Sequence, residues 1–173
     1  FQTEFDWKPL WNYNICLIGL HGRSDGEMQE ADIRLVRDSR VEAVKLTSHA
    51  THASVRSLFR FNPGLFVMLR PIMRFHDDNR PRNIPPAQFV AETTSDLQRM
   101  FDENPNIQYI EVHNEPNLMI EGLGGSWNNG VEFAKWFNET VRLFRQRWPD
   151  KKYGFPGLSP GAAIGGQRQE LKQ

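Results

Sequence analysis

The segment from Ile110 to Leu118 (Ile-Glu-Val-His-Asn-Glu-Pro-Asn-Leu) carries a carboxylic acid to the tip of an apolar strand. Proline follows this acid and cannot continue a hydrogen-bonded ladder, because it lacks the amide donor and fixes its own φ. Glu115 is therefore expected on an exposed rim, attached to a rigid element. A carboxyl group in such a position can act as a general acid or base.

Other polar and aromatic residues are expected at the same rim, because each lies near the end of a predicted strand or follows one. They are His21 after the first strand, Ser48 and His49 after the second, Arg70 and Arg74 near the end of the third, and His113, Asn114 and Trp127 after the fourth. A cleft of this kind suits sugars, since hydroxyl groups need many hydrogen-bond partners and sugar rings stack on tryptophan. The candidate substrate-binding residues are His21, Arg70, His113, Asn114 and Trp127.

Four of these candidates have a structural alternative, which for His113 is a structural role or support of a neighbouring site residue. Asn114 could cap the turn that follows the strand. Arg70 could be an ion-pair partner for Glu111 or Glu115 rather than a substrate contact. Trp127 follows Gly124-Gly125-Ser126 and could simply pack its own loop.

Composition predicts an ordinary globular domain and excludes some partners. The chain has 173 residues, 39% hydrophobic and 24% charged, with 21 basic and 21 acidic side chains. We predict a single domain over residues 1–173. Zero net charge gives no argument for nucleic acid or an anionic membrane, and no apolar run approaches the roughly 18 residues of a membrane span. The single Cys16 cannot form an internal disulfide.

Strand-like and helix-like segments alternate along the chain. Strands are predicted at 14–21, 41–48, 65–73, 107–113 and 153–158, with helices at 27–39, at 51–61, from 85 to about 103 and across a stripe of Phe133, Phe137, Val141, Phe144 and Trp148. This order predicts a parallel α/β sheet with right-handed crossovers. The two candidate architectures are a (β/α) TIM-barrel type, partial with five strands and four helices, and an open doubly wound sheet.

Two observations favour the barrel. The first strand-to-helix turn, Gly-Leu-His-Gly-Arg-Ser-Asp-Gly, lacks the glycine spacing of a dinucleotide site and the lysine of a P-loop. Within the strands, Lys45 and Glu111 alternate with apolar residues and should point away from the helices. Alternate strands contribute to one interior layer of a barrel, so these two side chains could form an ion pair there. The alternative is that both charges lie near strand ends in water.

The residues His-Asn-Glu-Pro-Asn-Leu at the end of a fourth strand resemble the Asn-Glu-Pro signature of the clan A (β/α)8-barrel glycoside hydrolases. The resemblance extends to the helix order and to the fifth strand, Phe-Pro-Gly-Leu-Ser-Pro. It implies a retaining hydrolase of β-linked saccharides that needs no metal or cofactor. Glu115 would be the general acid/base, and Asn114 would bind the sugar 2-hydroxyl.

The family places its nucleophile after the seventh strand, whereas this chain is expected to end soon after its fifth. We therefore expect the nucleophile to be absent from this chain, and a missing segment or a second chain to complete the barrel. One alternative is a non-catalytic carbohydrate-binding or assembly module. Another is a metal-dependent barrel hydrolase using His21, His49 or His76. No signal-peptide pattern occurs within these 173 residues, and localisation is open, although hydrolases of this kind are often exported.

Overall fold

The structure, a computed structural model, describes residues 17–22, 27–78 and 80–159. Five parallel strands form the main sheet: β1 (Gly19–His21), β2 (Ala43–Thr47), β3 (Phe66–Arg70), β6 (Tyr109–Glu111) and β7 (Lys152–Gly154). They lie side by side in chain order, paired in register such as Val44 with Val67 and Leu69 with Ile110. This order never reverses among the described strands, whereas a doubly wound sheet has a reversal at its switch point. The described strands form an open sheet and do not close into a barrel.

Four helices connect these strands: α1 (Glu30–Asp38), α2 (His52–Phe61), α3 (Pro86–Glu103) and α4 (Gly130–Arg147). Helix α1 packs on α2 and α3 packs on α4. Helices α2 and α3 approach each other closely, with 2.8 Å between His52 Nδ1 and Glu103 Oε2. Each helix therefore touches the next along the chain, which makes them one layer on one face of the sheet. None of the described helices is both long and apolar enough to cross a membrane.

Local sequence explains where the helices begin. The Thr51 hydroxyl accepts a hydrogen bond from Ser54 N at the start of α2, and Asn129 Oδ1 accepts one from Glu132 N at the start of α4. Helix α3 begins with Pro86 at its first position, where a missing amide donor costs nothing. Four of the five residues in the predicted stripe of α4 are confirmed as core: Phe133 and Phe144 are fully buried, Val141 and Trp148 nearly so, and Phe137 is partly buried against them.

Two differences from prediction concern the strands. The segment predicted as loop before α3 contains a short antiparallel hairpin, β4 (His76–Asp77) with β5 (Arg80–Pro81). The last strand, β7, covers 152–154 rather than 153–158, because it pairs with only three residues of β6. Residues 14–16 of the predicted first strand lie outside the described residues.

The face of the sheet opposite the helices carries charge. Glu111 Oε2 lies 3.0 Å from Lys45 Nζ and 2.8 Å from Arg70 Nε. The predicted Lys45–Glu111 ion pair is thus confirmed, and Arg70 joins it. Val44, Leu46 and Ile110, which alternate with these residues, are buried on the helix side.

Candidate functional site

Glu115 follows β6 at the carboxyl edge of the parallel sheet and is partly buried. Its backbone has φ 30°, in the left-handed region, and its carbonyl accepts a hydrogen bond from Leu118 N at 3.0 Å. Within the described part of the chain, the Glu115 carboxylate forms no hydrogen bond or ion pair. A carboxylate that is held by a fixed turn and has unoccupied oxygens is available to exchange a proton with a ligand.

Asn114 contacts a residue that sequence reasoning missed. Its Nδ2 donates to Glu121 Oε1 at 2.7 Å, and Glu121 ends a short 3-10 helix, Met119–Glu121, in the following loop. Burial raises the pKa of Glu121, and the nearby charge of Glu115 raises it further, while the Asn114 hydrogen bond, Arg70 and His76 lower it. One sequence signal could have found this residue: Glu121 is the first carboxylate after the motif and is followed by a glycine, Gly122.

His113 does not line a cleft, which corrects its prediction as a substrate-binding residue. Its φ of 79° breaks the strand alternation and turns the ring inward. The imidazole is 3% exposed, and its Nε2 donates to the Glu121 carbonyl at 2.6 Å. Burial lowers the pKa of His113 to about 3. The surrounding rings form what we call the aromatic cluster: Phe75, Phe89, Trp127, Phe133 and Trp136.

Trp127 belongs to this aromatic cluster, so its predicted role in stacking on a sugar also needs correction. The indole is 1% exposed, and its Nε1 donates to the Pro116 carbonyl at 2.8 Å. A ring that is enclosed on both faces cannot stack on a sugar. The alternative of loop packing fits, because Trp127 supports the turn that carries Glu115.

Arg70 and His21 have different surroundings. The Arg70 side chain is 13% exposed and paired with Glu111, which fits the ion-pair alternative rather than a direct substrate contact. His21 is exposed at the end of β1, and its Nδ1 contacts the Gly22 carbonyl at 2.6 Å. The structure therefore brings Glu115, Asn114 and Glu121 together, while His21 lies on the first strand of the sheet, with β2 and β3 between it and β6.

The histidines proposed for a metal site do not converge. His76 Nδ1 contacts the Ile120 carbonyl at 3.0 Å, and His49 Nε2 lies 3.5 Å from Asp96 Oδ2. In the described residues, no three His, Cys, Asp or Glu side chains are grouped as a metal ion would need. This part of the chain therefore offers no support for the metal-dependent alternative.

Comparison with known proteins identifies no relative. No protein-family model, curated protein or solved structure matches this chain significantly.

Proposed function

We propose that this chain is a retaining glycoside hydrolase-like protein of the clan A type that acts on a β-linked oligosaccharide or polysaccharide. One observation carries the proposal: Glu115 is an unpaired, partly exposed carboxylate at the carboxyl edge of the parallel sheet, within the residues that the structure describes. The two nearest carboxylates along the chain are occupied, Glu111 by Lys45 and Arg70 and Glu121 by Asn114.

Glu115 acts as the general acid/base in this proposal. It protonates the glycosidic oxygen as that bond breaks, and it later removes a proton from the water that releases the sugar. Asn114 lies beside it and binds the sugar 2-hydroxyl. A retaining mechanism also needs a nucleophilic carboxylate about 5–5.5 Å from the acid/base. We assign that role to none of the described residues. Activity is therefore assayed on the longest polypeptide that contains this sequence, so that a nucleophile outside the described residues is included.

The (β/α)-barrel type is part of the same proposal. Sequential strand order and a single helix layer support it, since a barrel is a sheet wound in one direction with its helices outside. The charged face formed by Lys45, Arg70 and Glu111 suits a barrel interior, where side chains from several strands fill the space. A further segment or a second chain supplies the strands that close the barrel.

A carbohydrate-binding module without catalysis is the second candidate. It is favoured by the same observation, because Glu115 has both carboxylate oxygens unoccupied within the described residues, whereas Glu111 is paired and one oxygen of Glu121 is occupied. A binding module would use Asn114 and Glu115 as hydrogen-bond partners for sugar hydroxyls.

The test compares wild type with Glu115→Gln on para-nitrophenyl β-glycosides of glucose, galactose, mannose and xylose. Glu115→Gln should lower kcat by about 10²- to 10⁴-fold on the substrate that is cleaved, the usual worth of general acid/base catalysis. Glu92→Gln, at an exposed carboxylate on α3, is the matched control and should retain full activity. Unchanged turnover in Glu115→Gln overturns the acid/base assignment. Saccharide binding without turnover in the wild type favours the binding module.

A further inference from the structure

Glu121 contacts both residues that precede Glu115. Its carboxylate Oε1 accepts from Asn114 Nδ2 at 2.7 Å, and its backbone carbonyl accepts from His113 Nε2 at 2.6 Å. A single residue of the loop after β6 therefore holds two consecutive residues of the turn.

The direction of these bonds fixes how the Asn114 amide is presented. An ionised carboxylate only accepts hydrogen bonds, so the nitrogen of Asn114 must face Glu121. The carbonyl oxygen of Asn114 and its second N–H remain for a ligand. The same logic applies to His113: a backbone carbonyl only accepts, so the imidazole carries its proton on Nε2.

The turn needs this support because its backbone is strained. His113 and Glu115 have φ values of 79° and 30°, a region that non-glycine residues rarely adopt. Strained residues of this kind persist only when surrounding contacts hold their backbone in that conformation. The two bonds to Glu121 supply such contacts.

Glu121 is itself held firmly. The next residue, Gly122, has φ 116°, and a Cβ there would come within 2.8 Å of the rings of both Phe75 and Trp127. Ile120 is tied to the β4–β5 hairpin through the contact between its carbonyl and His76 Nδ1. The backbone that carries the Glu121 carboxylate is therefore held in place beside the aromatic cluster.

We propose that Glu121 is the positioning residue of this site, which turns the free half of the Asn114 amide toward the sugar hydroxyl beside Glu115. This inference rests on the proposed function for the identity of the ligand, but the arrangement of Glu121 and Asn114 can be tested without it.

Four groups face the Glu121 carboxylate: Asn114, Glu115, Arg70 and His76. Burial and Glu115 raise its pKa above the ordinary value of 4.5. Protonation of Glu121 therefore occurs at a higher pH than for an exposed glutamate and should be sensed by the Asn114 side chain that it contacts.

The first test is NMR of the Asn114 side-chain amide during a pH titration of this chain. In the wild type the amide resonances should shift with a midpoint above 4.5, the ordinary pKa of Glu. Glu121→Gln keeps a carbonyl acceptor and should abolish this midpoint while preserving the fold. Glu92→Gln, the exposed control, should leave it unchanged. Asn114 resonances that do not titrate, or that titrate equally in Glu121→Gln, overturn the proposal.

The second test separates positioning from general loss of structure. Glu121→Ala should lower kcat/KM about tenfold, the worth of one good hydrogen bond, on the para-nitrophenyl β-glycoside that the wild type cleaves. On the corresponding 2-deoxy glycoside the loss should be less than about twofold, because the hydroxyl that Asn114 meets is missing. Glu121→Gln should restore most of the activity. An equal loss on both glycosides would mean that Glu121 does not act through Asn114.

The two proposals fail separately. The NMR measurement requires no turnover, so a protein without glycosidase activity refutes the hydrolase proposal and leaves the Glu121–Asn114 contact standing. If Glu115→Gln loses activity but the Asn114 amide resonances do not change with pH, the positioning role of Glu121 is refuted and the hydrolase proposal stands.

Discussion

Glu111→Gln should destabilise the protein strongly, because Glu111 is the anion that lies between two cations. Its side chain is 9% exposed and contacts Lys45 Nζ at 3.0 Å and Arg70 Nε at 2.8 Å. Glutamine has nearly the same shape and can still accept one hydrogen bond. The substitution therefore removes the charge while leaving the packing intact.

The expected cost follows from the burial of the three partners. Removing one member of a buried ion pair costs about 3–5 kcal/mol, since the remaining charge is left unpaired. Arg70 and Lys45 retain side-chain exposures of 13% and 26%, so water partly compensates them. We therefore expect the lower end of that range, about 3 kcal/mol. Lys45→Met should cost less, about 1 kcal/mol, because Glu111 keeps its closer bond to Arg70.

Urea unfolding followed by circular dichroism measures these free energies, with Lys45→Met/Glu111→Gln completing a double-mutant cycle. The double variant should cost less than the sum of the single variants, because once Lys45 is replaced, Glu111→Gln leaves only Arg70 unpaired. Glu139→Gln, which breaks an exposed pair with Arg142 on α4, controls for loss of a surface charge and should barely move the midpoint. A loss below about 0.5 kcal/mol for Glu111→Gln would mean that these charges are solvated and would refute the reasoning.

Three further predictions concern the turn and its pH dependence. Because burial lowers the pKa of His113 to about 3, the unfolded chain binds the extra proton first as the pH falls below 6.5, and stability is lost. Between neutral pH and about pH 4.5 this loss of unfolding free energy should be about 2.5 kcal/mol. Urea unfolding at each pH measures the loss. It should be absent from His113→Gln but present in the exposed-site control His21→Gln. The Glu121 contribution has the opposite sign: because its pKa is raised, this carboxyl's own contribution to stability falls as the pH rises above 4.5, so Glu121→Gln should gain stability relative to wild type over that range, and a pH-independent difference would contradict this. Asn117→Ala removes two hydrogen bonds to Ser159, at 2.9 and 3.1 Å, and should cost about 1–2 kcal/mol in the same assay, whereas no loss would mean that water replaces both bonds.

Periodicity predicted the large elements well, because burial decides them. The α4 stripe and the helical spacing of Phe89, Leu97 and Phe101 in α3 follow from one face meeting the sheet. The β4–β5 hairpin was missed because each strand has two residues, too few for an alternating pattern. The end of β7 depends on its register with β6, which no local pattern encodes.

The site could be predicted only where its residues are adjacent in sequence or follow strand alternation. Asn114 and Glu115 are neighbours, and Lys45 and Glu111 share a face because side chains alternate along strands. The prediction for His113 was wrong because a left-handed conformation at a non-glycine residue reverses that alternation. Glu121 was missed because its contact depends on the path of a loop that is fixed by distant rings.

Leaving-group dependence tests the acid/base role of Glu115 most directly. A dinitrophenyl glycoside departs without a proton, whereas a phenyl glycoside needs one from the acid. If Glu115 is the acid/base, Glu115→Gln should lower kcat/KM by about 10²-fold or more on the phenyl β-glycoside and by less than about tenfold on the dinitrophenyl β-glycoside of the same sugar. An equal loss on both glycosides, or none on either, would contradict the assignment of Glu115 as the proton donor.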